Sequence, residues 1–296
     1  MRTYRRNGFW LGIVCAATLL GAGCVNTGPV VPEKETGAFD TPESGKAEAN
    51  AYQASQTKGP SRKPLWLQSA KRDVAEWPDR IIEDSKQTFL KRDNMAALLL
   101  AGGASIAMHQ DADKEIADHF ERHPHLHNFR DESLYVIGHP VTHFAATGIW
   151  YALSAENQDE LNRQRAWTMM TALAVTSLTT TGLKAIRDND TPNGKRWAWP
   201  SGHTSHSFTV ASVLDEYYGP KVGIPAYVLA SLVAYRMMDT GDHWASDVVF
   251  GATLGWVVGH TVAGRHEKLE VAGFEVSPYL GNAGASTMGV SLVKKF

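Results

Sequence analysis

The chain has 296 residues, 43% of them hydrophobic, and a formal net charge of -2 from 29 Lys and Arg against 31 Asp and Glu. That is enough apolar material for a substantial core, and without a broad basic field nucleic acid is set aside as a partner. The only cysteines, Cys15 and Cys24, lie near the amino terminus, so the body has neither a disulfide framework nor thiolate metal ligands.

Residues 1–24 read as an export signal: Arg2, Arg5 and Arg6 form a basic region, Phe9 to Leu20 an apolar stretch, and Gly21-Ala22-Gly23 a small-residue end. The apolar stretch is short for a membrane span. Gly21-Ala22-Gly23-Cys24 resembles the lipobox of bacterial lipoproteins, although Gly21 stands where leucine is usual and Leu20 lies one place earlier. The resemblance implies a diacylglyceryl group on Cys24, and with it a periplasmic domain held at the outer membrane. Residues 25–64 are rich in Pro, Gly, Glu, Lys, Ser and Ala with almost no large apolar residues. Such a segment cannot bury enough surface to offset its ordering entropy, so a disordered tether is expected.

From Trp66 the pattern turns helical, and residues 65–266 are expected to form one all-α domain, a helical bundle. Glu83 to Arg92 is mostly polar, Asn94 to Met108 apolar and small, and Asp111 to Glu121 amphipathic. Further helices are predicted at Leu134 to Ala155, Gln158 to Ile186, His203 to Tyr218, Ile224 to Met238 and Ser246 to Val262. Several are apolar nearly all round, which suits a bundle centre or a membrane. Their uninterrupted apolar stretches run to roughly 14 to 18 residues, at or below a span's requirement, and they are broken by His139, His143 and a Thr-rich face from Thr168 to Thr181. A soluble exported bundle is the favoured reading, an integral membrane protein the other. Residues 267–296 alternate near Phe274 to Tyr279 and Thr287 to Leu292 around Gly281 to Gly284, predicting a β-hairpin.

The chemistry concentrates in two blocks, Pro200-Ser201-Gly202-His203 and His243-Trp244-Ala245-Ser246-Asp247. A Ser-Gly-His turn opening a helix offers a hydroxyl, the Gly202 amide and the positive end of the helix dipole to an anion. The plainer reading of such a turn is a capping serine beside a satisfied histidine. His243 and Asp247, four apart, share a helical face, where the carboxylate can fix the tautomer and leave the other ring nitrogen nucleophilic. Lys184 closes a long helix near in sequence. Together these residues point to phosphoryl transfer without a metal.

The blocks resemble the signature of the type 2 phosphatidic acid phosphatase superfamily, which includes bacterial class A acid phosphatases and vanadium-dependent haloperoxidases. That signature is Lys, six residues, Arg-Pro; then Pro-Ser-Gly-His; then Ser-Arg, five residues, His, three residues, Asp. The resemblance covers about Lys184 to Gly264 and departs at two places. Thr191 stands where the first block has arginine, with Arg187, Lys195 and Arg196 nearby, and Arg236 falls one residue early, so that Met237 occupies the strict register position. Arginine matters there because its planar fork grips phosphate oxygens bidentately.

The resemblance implies His243 as nucleophile, Asp247 as its orienting group and His203 as the acid for the leaving oxygen. It further implies Lys184, Ser201, the Gly202 amide and Arg236 as phosphate ligands, with no metal and no cofactor. The expected partner is a phosphorylated small molecule or lipid, a phosphomonoester, lipid phosphate or pyrophosphate. A vanadate-dependent haloperoxidase and a non-catalytic phosphate-binding envelope protein are the alternatives. His119, His123, His125 and His127 are read as a solvated loop rather than a metal site. His139 and His143, four apart on a predicted helix face, could line a pocket mouth or sit satisfied in the core.

Overall fold

The computed structural model describes residues 64–266 and three later strand segments, 269–271, 274–280 and 288–293. The export signal, Cys24, the tether and the expected Gly281 to Gly284 turn lie outside the described residues. Nine helices follow one another in the described residues: α1 (Leu65–Leu90), α2 (Arg92–Asp111), α3 (Asp113–Arg122), α4 (Phe129–Gly138), α5 (Pro140–Glu156), α6 (Glu160–Arg187), α7 (Gly202–Tyr218), α8 (Pro220–Asp239) and α9 (Ala245–His266). The fold is all-α, as expected. Strands β1 (Leu269–Val271), β2 (Phe274–Leu280) and β3 (Met288–Val293) pair antiparallel in that order, with Val276 opposite Leu292 and Leu280 opposite Met288. The two arms of the expected hairpin fall on β2 and β3; β1 is an additional strand.

One expected helix is two. The stretch Leu134 to Ala155 breaks at His139, because Pro140 lacks a backbone N–H and its ring bars helical backbone in the residue before it. Pro140 instead opens α5, and His139 caps it by accepting from the Val141 N–H at 3.2 Å. The break places His139 at the cap and His143 within the first turn of α5.

The core gathers Met169, Leu173 and Val175 of α6, Val213 and Tyr217 of α7, and Phe250, Leu254, Val258 and Val262 of α9. The Thr-rich face of α6 is spent on interhelical hydrogen bonds: Thr176 to Thr209 at 2.8 Å, Thr180 to Ser205 at 3.1 Å, and Thr171 to the Trp77 indole at 3.2 Å. Satisfied in this way, buried hydroxyls cost little. Glycine sets the closest approach. Gly251, Gly255 and Gly259 form one face of α9, where a β-carbon would lie 2.9 Å from Ser201 O, 2.2 Å from Ser205 O and 2.5 Å from Ser212 Cβ. The backbones of α7 and α9 therefore nearly touch, and the two motif blocks sit at the same end of that contact. Among the described residues, no helix is long and apolar enough to cross a membrane.

Candidate active site

Ser201 caps α7. Its Oγ accepts from the Thr204 N–H at 3.4 Å and the Thr204 hydroxyl at 3.0 Å, and its own N–H donates to Asp247 O at 3.1 Å. The plainer reading of the turn is thus part of the answer, yet it leaves the Ser201 hydroxyl hydrogen unspent. The helix beginning at Gly202 aims unpaired N–H groups and its positive dipole end at the same place. Lys184, at the end of α6, reaches across with its Cε 4.0 Å from where a Gly202 β-carbon would be. Its ammonium donates to Trp197 O and, at 3.2 Å, to Ala198 O. Burial pulls the Lys184 pKa down to about 8 against the opposing pull of Asp247.

At the entry of α9, His243 Nδ1 faces Asp247 Oδ2 at 3.3 Å, and the same oxygen accepts from the Trp244 N–H at 3.0 Å. Asp247 is fully buried, and its Oδ1 has no hydrogen-bond partner among the described residues. The carboxylate accepts only, so a neutral His243 carries its proton on Nδ1 and keeps a lone pair on Nε2. Burial lowers the His243 pKa, the Asp247 hydrogen bond opposes this, and the Lys184 charge lowers it further.

His203 Nε2 is buried without a hydrogen-bond partner among the described residues. Its pKa is pushed down to about 3, first by burial and then by the charges of His139, His243 and Arg236. Those influences place His203 and His243 in one electrostatic neighbourhood. Tyr135 of α4 lies against the His203 ring at 4.9 Å between centroids and His139 meets it edge-on at 5.2 Å, so α4 and its junction with α5 form a wall over the histidine.

Arg236 approaches from α8. Its guanidinium stacks on Tyr135 at 4.9 Å and is gripped by Asp131 at 2.6 Å and Asp242 at 2.5 Å. The strict-register residue, Met237, is 1% exposed and packs in a small core cluster with Ala234 and Val248. Near the first block, the Thr191 hydroxyl bonds Asn193 and the Lys195 backbone, shaping the 188–199 loop. Arg187 stacks on Trp199 at 5.2 Å and Arg196 pairs with Asp188, whereas Lys195 extends to Asp242, next to His243, at 2.7 Å. Burial raises the Asp242 pKa, but Lys195, Arg236 and Asn193 together hold it well below the usual carboxylate range.

The structure thus brings Lys184, Ser201, Gly202, His203, Arg236, His243 and Asp247 to one end of the bundle. Asp131, Tyr135, Lys195 and Asp242 join them without having been singled out as site residues by sequence, except that Lys195 had been noted beside the Thr191 gap. His143 and His206 form a deeper layer. His206 joins Gly202 O at 2.7 Å to the Ser177 hydroxyl at 2.6 Å, and His143 faces Ser207 at 3.4 Å. Burial depresses both, His206 to about 4 and His143 to about 3. In the 123–127 loop, His125 and Leu126 donate backbone N–H groups to Asp239, both at 2.9 Å. No group of three or more His, Cys, Asp or Glu side chains is placed to hold a metal ion among the described residues.

A lipid A 1-phosphatase from Porphyromonas gingivalis is 37% identical over 65 residues, 21% of this chain and 15% of the relative, so the chain matches only a small part of that protein's length. Among solved structures, a transmembrane PAP2 type phosphatidylglycerolphosphate phosphatase from Bacillus subtilis superposes with a TM-score of 0.51 at 20% identity, covering 60% of this chain and 96% of its own; it shares the fold. The LpxE structure from Aquifex aeolicus follows at a TM-score of 0.43 and 18% identity, covering 51% of this chain and 93% of its own. The model of the PAP2 superfamily matches residues 107–269, more than half of the chain and every residue of the site just described, and the chain belongs to that superfamily.

Proposed function

We propose that the protein is a phosphoric ester hydrolase that removes phosphate from a lipid phosphate or pyrophosphate through a phosphohistidine on His243. The observation carrying this reading is the pair of buried imidazoles. His243 has its Nδ1 on a carboxylate, and His203 has an unpaired Nε2, with Lys184, Arg236 and the start of α7 adding positive charge around them. His243 Nε2 would attack phosphorus as the ester P–O bond breaks, with the His203 proton passing to the leaving oxygen. Water then attacks the phosphohistidine, the P–N bond breaks, and His203 takes a proton from the water. Charge stabilisation by Lys184, Ser201, the Gly202 N–H and Arg236 would supply most of the rate enhancement.

His203 on its own is neutral near neutral pH, so a bound phosphate dianion must raise its pKa before it can serve as the acid. Activity therefore favours acidic pH, falling as pH rises through the pKa of His203 in the complex. The lipid preference draws on the phosphatases named above and on the export signal and lipobox-like end read in the sequence. The test is hydrolysis of lipid phosphates and p-nitrophenyl phosphate with a chelator present, comparing the parent with His243→Asn. Chelator-resistant turnover that disappears in the variant supports the histidine mechanism. Chelator-sensitive turnover, or a variant as active as the parent, refutes it; bromide oxidation on adding vanadate would favour the haloperoxidase branch.

A further inference from the structure

The entry of α9 is held by side chains outside both motif blocks. Asp113, the first residue of α3 and 1% exposed, accepts from the Ser246 N–H at 2.9 Å and from the Ser246 hydroxyl at 2.5 Å. Ser105, fully buried on α2, donates to Ser246 O at 3.0 Å and accepts from the Trp199 indole N–H at 3.0 Å. The amide, hydroxyl and carbonyl of one residue are thus all bound from the corner between α2 and α3. The oxygen that holds the carbonyl also reaches Trp199, the residue before Pro200.

The first N–H groups of a helix have no partner within it, and a carboxylate there satisfies a donor and complements the dipole. Asp113 does this from 133 residues away in the chain. Ser246 directly precedes Asp247, whose Oδ2 must meet both His243 Nδ1 and the Trp244 N–H. A rotation of the first turn of α9 would break both contacts.

We propose that Asp113 and Ser105 are positioning residues of the site, clamping Ser246 so that Asp247 meets His243 and the α9 entry stays registered against the Pro200 to His203 turn. Only the kinetic consequence rests on reading His243 as the nucleophile; the geometric claim stands apart from it.

The test uses the full chain with Asp113→Ala, Ser246→Ala and the conservative Asp113→Asn. An asparagine amide keeps an acceptor for the Ser246 N–H and can donate to its hydroxyl. The groups that act on His243 are Asp247, Asp242, Lys184 and His203. Of these, Asp247 favours the protonated ring, so loosening that contact lowers the pKa of His243. NMR titration of the His243 ring should move down in both alanine variants and stay near the parent in Asp113→Asn. On a substrate the parent hydrolyses, kcat should fall at least about tenfold with KM within twofold, and the acid limb should move to lower pH. A partly unfolded variant would lower kcat without moving the titration. An unchanged His243 titration in folded Asp113→Ala overturns the proposal, as does an activity loss that Asp113→Asn does not restore. Should Asp113→Ala fail to fold, Ser105→Ala removes a single hydroxyl and carries the same comparison. A titration shifted in the alanine variants, with the parent inactive on every phosphate ester, would sink the functional reading and leave the clamp standing.

Discussion

Gly255→Ala probes the contact on which the site is built. The added methyl would lie 2.2 Å from Ser205 O and 2.9 Å from both Phe208 Cβ and Thr209 N. A carbon rests no nearer than about 3.3 Å from a carbonyl oxygen, so α7 must retreat from α9 by about 1 Å. Overpacking of this kind costs about 1–3 kcal/mol, and alanine returns about 1 kcal/mol through helix propensity. With two of the three contacts on backbone, the upper part of that range applies and the net loss is about 1–2 kcal/mol. Gly103→Ala on α2 is the control, because its methyl meets nothing within 4 Å and should gain up to about 1 kcal/mol. Urea unfolding monitored by circular dichroism, at constant m, should therefore separate the two variants by about 1–3 kcal/mol. Since α7 carries His203 and the entry of α9 carries His243, a 1 Å separation should also lower kcat about a hundredfold. Equal stability of the two variants, or full activity in Gly255→Ala, would refute the reasoning.

Acid should unfold the protein early. His143, His203 and His206 are neutral when folded, with pKa values of about 3, about 3 and about 4 set first by burial. Unfolded, they titrate near 6.5, so the unfolded chain takes up the protons. Their stabilising effect is complete above pH 6.5 and is lost as pH falls toward 3 to 4, on the order of 3 kcal/mol per group by pH 4.5. Urea midpoints at pH 7 and pH 4.5 measure this, and a pH-independent midpoint contradicts it. Asp247→Asn should lower kcat at least about a hundredfold with KM little changed, because an amide no longer fixes the proton on His243 Nδ1; steady-state kinetics check it. Lys184→Met should weaken inhibition by orthovanadate at least about tenfold, read as the inhibition constant; an unchanged constant would remove Lys184 from the anion site.

Local features were the legible ones. The four-residue spacing pointed to the His243 and Asp247 pairing, although His243 precedes α9 and Asp247 reaches back to it from the first turn instead of sharing a helical face; the Ser201 cap follows from its place before Gly202. Helix ends were close wherever a cap marked them, as at Asp159, which caps α6 at 3.0 Å. Pro140 was present in the sequence, and weighing the apolar run above it merged two helices into one. The helix predicted from Ile224 begins four residues earlier, at Pro220, whose missing N–H and fixed φ suit a first turn. The rest needed the fold. Asp131 meets Arg236 across 105 residues and Asp113 meets Ser246 across 133. Asp113 begins an amphipathic segment of acids and bases, so nothing in its neighbours distinguishes a buried carboxylate from a solvated one. The misplaced arginine is the same lesson at shorter range: whether residue 236 or 237 faces the site depends on how the chain leaves α8 at Gly241, where φ is 67°.

The wall of Tyr135 and His139 hangs on α8 by three separate hooks: Asp131 on Arg236, the 125–126 amides on Asp239, and Gly138, where a methyl would strike Val233 at 2.3 Å. None of these hooks touches the α7 and α9 backbones that carry the two imidazoles. With Asp131 and Tyr135 fixed on Arg236 and His203, the outward positions of residues 129–137 form an exchangeable panel: variation at Phe129, Val136 or Ile137 can resculpt what the opening admits while the reacting groups behind it keep their alignment.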